Sequence, residues 1–164
     1  MQRFRLAPMC PLIRAITLVM LALPLGFGIG ARLGAPALIA PAVLLAAIYA
    51  WVWTRFRPTT FVVHPHAVEV IWPLKRREIA RHEISAVRLI GRLELRRLAG
   101  WGARVGAGGL WGGFGWLWTK HRGIVQMYIS RIDRFVWIER VGGRPWLITP
   151  DEPEAFVRAV APSG

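Results

Sequence analysis

Two long apolar runs open the chain. Residues 12–30 read LIRAITLVMLALPLGFGIG and residues 36–54 read PALIAPAVLLAAIYAWVWT. As helices each would extend roughly 28 Å, about the thickness of a bilayer's hydrocarbon core. Arg14 is the only charge inside either run; it lies near the start of the first, where its long side chain can snorkel to the interface. Pro24 and Pro41 are tolerated in spanning helices and predict kinks. Trp51 and Trp53 close the second run at a depth that tryptophan favours. The link Ala31-Arg32-Leu33-Gly34-Ala35 is short enough to force an antiparallel hairpin, and Gly26 and Gly30 form a GxxxG pair that permits close helix approach. The pattern therefore predicts a membrane anchor over residues 1–57, with helices at about 12–30 and 36–54.

After Arg57-Pro58 the period changes from helical to two. Thr60–Val63 and Ala67–Trp72 flank a turn over Pro65-His66 and read as a hairpin. Arg77–Arg81 and Ile84–Leu89 alternate charged and apolar positions, as half-buried strands do. Gly123–Ile129 is another strand. Phe135–Arg140, Val141-Gly142-Gly143 and Pro145–Ile148 form the clearest hairpin in the chain. Asp151-Glu152-Pro153-Glu154 has the form of a capping box, with Asp151 at the cap; Phe156, Ala159 and Val160 then share one helical face. The expectation over residues 58–164 is about seven strands closed by one C-terminal helix.

Residues 109–118, GLWGGFGWLW, pose the main local question. Phe114, Trp116 and Trp118 alternate with smaller residues, which predicts a strand whose aromatic face fills the core. The glycines upstream, from Gly102 to Gly113, predict a flexible loop leading into it. Leu110 and Trp111 in that loop are candidates to dip into a bilayer interface, with Lys120 and Arg122 reaching for head groups. A small-ligand pocket is the third reading of the segment.

Charge sharpens the division. Residues 1–57 hold six arginines (Arg3, Arg5, Arg14, Arg32, Arg55, Arg57) and no acidic residue. All but Arg32 flank one end of the predicted hairpin, so the positive-inside rule puts both termini in the cytoplasm of a multi-pass inner-membrane protein. A cleavable signal peptide is the rival reading of the first run, weakened by the second run that follows at once. Residues 58–131 carry twelve Lys+Arg against four acidic residues. Arg96 and Arg97, with Lys75-Arg76-Arg77, Arg92 and Arg104, dominate that patch. Held beside a membrane, such cations are attracted to anionic head groups by about 1 kcal/mol each. Cys10 is the single cysteine, so no intrachain disulfide forms.

Catalytic motifs are lacking. In Gly106–Gly112, Trp111 stands where a dinucleotide fingerprint needs its third glycine, and no Walker-type glycine-lysine-serine/threonine run exists. The histidines never fall at i, i+4 spacing, and His64 and His66 are separated by a proline at a turn. Ser85, Ser130 and Ser163 have no nucleophile-elbow context. No cofactor, metal or nucleic-acid partner is expected.

Gly109…Gly112…Gly115, Gly123–Tyr128, Asp133–Ile138 and Ile148–Phe156 together resemble the bacterial pleckstrin-homology-like domains carried behind a pair of membrane helices. The likeness covers roughly residues 58–160, with Thr149 where that family more often has serine. It implies an α+β fold, a bent antiparallel sheet of about seven strands capped by a C-terminal helix, and it implies no catalytic residues. The expected function is a membrane-anchored, non-enzymatic interaction module at the cytoplasmic face, binding a protein partner or anionic lipid. An accessory or sensory subunit of a larger membrane complex is the alternative, and an enzyme with an unrecognised site the third reading.

Overall fold

The computed structural model describes residues 1–161. Its first element is one that the apolar runs give no hint of, a strand β1 (Gln2–Arg5). Two helices follow, α1 (Pro11–Arg32) and, after a short 3-10 turn at Pro36–Leu38, α2 (Ile39–Arg55). Pro11 sits in the first turn of α1, where its missing N–H costs nothing. Both helical stretches, Pro11–Arg32 and Pro36–Arg55, are long and apolar enough to cross a membrane. They form the expected antiparallel hairpin, tied by the Tyr49 hydroxyl donating to the Met20 carbonyl at 3.1 Å. Leu18, Val19, Leu25, Ile29, Val43 and Leu44 point outward and uncovered, whereas a helix in a soluble core would bury such side chains. A side chain at Gly30 would meet Leu38 Cδ1 at 2.8 Å, so this glycine admits the chain's own link.

Beyond the hairpin come β2 (Thr60–Val63), β3 (Ala67–Ile71), β4 (Arg76–Ala80), β5 (Ile84–Ile90), α3 (Arg92–Ala99), β6 (Gly102–Gly108), β7 (Gly113–Thr119), β8 (Gly123–Ile129), β9 (Phe135–Arg140), β10 (Trp146–Ile148) and α4 (Pro153–Val160). One sheet has the order β1-β2-β3-β4, the other β5-β9-β10-β8-β7-β6. β1 pairs antiparallel with β2, Arg5 opposite Thr60, so the strands before and after the two helices are neighbours. The fold is α+β, with both expected hairpins and the C-terminal helix in place. It departs from a wholly antiparallel sheet at one point. β10 fills the gap between β8 and β9; being antiparallel to its hairpin partner β9, it must run parallel to β8.

The sheets pack face to face. Phe4, Phe61, Val68, Val70 and Ile79 of the first meet Phe114, Tyr128, Val136, Ile138, Trp146 and Ile148 of the second. Helix α4 closes one side of this core with Phe156 and Val160, the Phe156 ring edge-on to Phe4 at 5.2 Å. The other face of the six-stranded sheet buries Val125, Met127, Ile129, Trp137 and Leu147, with Leu95 and Leu98 of α3 packed against them. The cap of α4 is Glu152 rather than Asp151, and the Glu152 side chain makes no capping hydrogen bond. Asp151 N donates to the Arg5 carbonyl at 2.9 Å and Pro150 bridges to Leu6, so Asp151 continues the sheet edge and the helix starts after it.

Candidate functional site

One end of the six-stranded sheet is where the hairpin is attached. Cys10 N donates to the Ser130 carbonyl at 3.3 Å and Ala7 N to the Thr149 carbonyl at 2.9 Å. Ser130 Oγ completes the joint through Ala7 O and the Thr149 hydroxyl. The loop between β6 and β7 reaches from this end into the hairpin. Leu110 is only 4% exposed, packed on Tyr49 and Val52 of α2. The Trp111 ring meets Trp53 edge to face at 4.7 Å. Thr17 of α1 receives the Trp111 N–H at 2.9 Å, and its hydroxyl lies 3.2 Å from the Gly109 carbonyl. Glycine is required at position 112, where φ is +151° and a Cβ would lie 2.1 Å from the Ile129 carbonyl. Leu110 and Trp111 thus sit at the level of the two helices, but their partners there are the chain's own side chains.

Cations ring this joint. The Arg57 guanidinium lies 4.2 Å from the Trp53 ring, and burial pushes its ionisation down. Lys75 Nζ stands 4.6 Å from the Trp72 ring, whose Nε1 donates to the Phe56 carbonyl at 3.0 Å. Burial, followed by the neighbouring charges of Arg77 and Arg55, lowers the Lys75 ammonium below the ordinary lysine range.

The other end of the sheet carries a different surface. Phe114 is fully buried, as expected, but Trp116 and Trp118 are 44% and 65% exposed. They share the Phe114 face and project past the edge of the covering sheet. Arg77 of β4 marks that edge, donating to Gln126 Oε1 at 2.9 Å directly beside Trp116. Val105, Trp116, Trp118, Ile124 and Arg144 line an open apolar groove of about 400 Å³ there. Of the upstream glycines, Gly102, Gly106 and Gly108 lie in strand β6, and only Gly109 and Gly112 lie in the loop before β7. Gly106 faces Gly115 across the ladder, and a Cβ on Gly106 would lie 2.4 Å from the Phe114 carbonyl, so the two strands approach only as glycines.

A third feature lies between α3 and the outer face of the sheet. It is a groove of about 390 Å³ floored by Leu117, Met127, Ile129 and Leu147, with Arg92 and Arg96 at its rim. Arg96, a candidate from the charge pattern, lines this groove together with Arg92 one helical turn earlier. Arg97 is exposed and does not line it.

The six residues singled out by sequence therefore occupy three places. Leu110 and Trp111 lie at the hairpin. Lys120 and Arg122 lie beyond the far end of β7, roughly 20 Å along the strand, with Arg122 paired to Glu139 at 3.2 Å. Arg96 and Arg97 are on α3. The signal that β7 would separate the first two pairs was the alternation from Phe114 to Trp118, which already made the intervening stretch a fully extended strand. Among the described residues no group of His, Cys, Asp or Glu comes together to hold a metal ion. The family whose model matches is the Bacterial PH domain, over residues 59–162. No curated protein and no solved structure matches the chain.

Proposed function

Because the chain belongs to the bacterial PH-domain family, we propose that it is a membrane-anchored, non-enzymatic interaction module at the cytoplasmic face of the inner membrane, binding a protein partner. Strand pairing supports the topology. β1 precedes the first helix and β2 follows the second, and the two are hydrogen-bonded neighbours. A hairpin crossing a membrane must then leave both strands on one side. Arg3, Arg5, Arg55 and Arg57 all belong to that side, which the positive-inside rule assigns to the cytoplasm.

The observation that carries the interaction reading is the uncovered aromatic face of β6–β8. Trp116, Trp118, Val105 and Ile124 are all exposed, and Arg144 borders them. Aromatic side chains with arginine are the residues enriched at the centres of protein interfaces. The patch extends toward the end of the sheet remote from the helices, with Trp118 about 17 Å along β7 from the attachment row, which favours a protein partner over lipid. A partner in a larger membrane complex fits the same surface.

Two experiments test the reading. Reporter fusions at Gly164 and within residues 31–35 should report cytoplasmic and periplasmic locations respectively; a periplasmic reporter at Gly164 overturns the topology. A photoreactive residue in place of Trp118, in the full chain in cells, should cross-link to another protein, and Trp116→Glu should reduce that product. The same probe at Leu110 should give only intrachain products. Cross-links from position 118 to lipid alone would overturn the protein-partner reading.

A further inference from the structure

We infer that the groove beneath α3 is a binding site for an anionic lipid of the adjoining leaflet, one acyl chain lying on the sheet and the head group held by Arg92 and Arg96. The site is distinct from the aromatic face and does not depend on it.

Three observations lead there. The first is chemical asymmetry. The floor is Leu117, Met127, Ile129 and Leu147, all carbon and sulfur, while Arg92 and Arg96 stand at the rim. A ligand matching both parts is an amphiphile with an anionic head, because an apolar molecule leaves the guanidiniums unused and a free anion leaves the floor wet. The volume, about 390 Å³, falls within the roughly 300–1,000 Å³ range of small-ligand sites.

The second is charge. Among the described residues neither Arg92 nor Arg96 makes an ion pair, whereas Arg88, Arg122, Arg131, Arg134 and Arg140 all have carboxylate partners. Arg92 and Arg96 are one turn apart on α3, so both guanidiniums can approach one phosphate, which arginine binds through paired N–H donors. Glu94, the only acid on α3, stands two residues from each and so projects from another side of the helix.

The third is position. Ile132 lines the groove and lies two residues after Ser130, whose carbonyl receives the N–H of Cys10 at the root of α1. Ile90, at the end of β5, pairs with Phe135 and leads through Gly91 into Arg92. One end of the groove therefore adjoins the place where the first helix leaves the domain. Leu93 beside Arg92 is exposed, adding apolar surface at that end. A chain can pass from bilayer to groove without crossing the domain.

The test uses the full chain in detergent, with phosphatidylglycerol and phosphatidylcholine of identical acyl composition added in turn and retention read by native mass spectrometry. One phosphatidylglycerol should be retained at least about tenfold better than phosphatidylcholine, a difference of about 1.4 kcal/mol. Arg92→Gln with Arg96→Gln should abolish the preference; Arg97→Gln, off the groove, should keep it. Leu117→Trp, which fills the floor, should lower retention while leaving the arginines intact. Should that variant fail to fold, a diazirine-bearing acyl chain provides the second readout in the unmodified protein, with labelling expected within residues 92–102 and 117–132. Equal retention of the two lipids, or labelling confined to residues 11–55, would overturn the inference. Neither result bears on cross-linking from Trp118, so the partner reading stands or falls separately.

Discussion

Replacing Thr17 by valine should loosen the domain from its helices without unfolding it. Valine keeps the shape of threonine and removes one hydroxyl. That hydroxyl lies 2.8 Å from the Ile13 carbonyl in its own helix and 3.2 Å from the Gly109 carbonyl, and it accepts the Trp111 N–H at 2.9 Å. Ile13 keeps its ordinary helical bond, so α1 is little affected. Trp111 N–H loses its acceptor in surroundings made of Leu110, Trp53 and the two helices. An orphaned buried donor costs about 1–3 kcal/mol, and this cost falls on the docked state alone. Undocking of residues 109–112 should therefore become about 5- to 150-fold more frequent. The assay is amide hydrogen exchange of the full chain in nanodiscs, read by mass spectrometry. Peptides covering 105–116 should exchange faster by a factor in that range, while peptides covering β2 and β3 keep their rates. Unchanged exchange at 105–116 would refute the argument. Uniform acceleration across the domain would refute it too, because it would make Thr17 a global stabiliser rather than a local latch.

Further outcomes follow from burial and charge. Phe114→Ala should cost about 3–5 kcal/mol in denaturant unfolding of the full chain, whereas Trp118→Ala should stay within about 0.5 kcal/mol, since only the former is buried. Gly112→Ala should destabilise by more than about 1 kcal/mol, the added carbon meeting the Ile129 carbonyl. Asp151→Ala should leave α4 within about 0.5 kcal/mol of its stability, because its carboxylate caps nothing beyond the Glu152 N–H at 3.1 Å. Hydrogen bonds from Arg131 to Asp133 and from Arg134 to Glu154 hold both carboxyls below the ordinary carboxylate range. Their contribution is present above that range and is lost as pH falls through the lowered folded values. Asp133→Asn with Glu154→Gln should accordingly make acid unfolding less steep, measured by circular dichroism between neutral pH and pH 2.

Unbroken apolar length made the two helices legible, and periodicity most strands and α4, because each of these is a local pattern with one face committed to a core. It failed where partners come from far along the chain. β1 is four residues with arginine at two of them; nothing local marks it as a strand, and only pairing with Thr60–Val63 makes it one. β6 reads as a glycine-rich loop because glycine lowers strand propensity, yet close approach to β7 is what those glycines allow. Alternation placed Phe114, Trp116 and Trp118 correctly on one face. It carried no information about how far the covering sheet extends, so two of the three tryptophan and phenylalanine rings assigned to the core are in the open. For the candidate residues, nearness in sequence misled: Trp111 and Lys120 are separated by the full length of an extended strand. Arg92 belongs with Arg96 by helical spacing, a relation visible only once residues 92–99 are seen as a helix.

The pairing of β1 with β2 also sets an order of events during synthesis. Gln2–Arg5 is made before both helices but has no neighbour until Thr60–Val63 has been translated, at about 5–20 residues per second a wait of roughly 3–11 s. On the proposed topology both helices are delivered to the bilayer during that interval while β1 stays behind, unpaired. Arg3 and Arg5 suit it to the delay, since they disfavour translocation and keep a naked strand edge from sticking to others. The sheet then closes over the two helix roots like a buckle. On the proposed topology the ladder of β1 and β2 ties the root of the first helix to the root of the second, so the hold of the anchor rests in part on strand pairing outside the membrane.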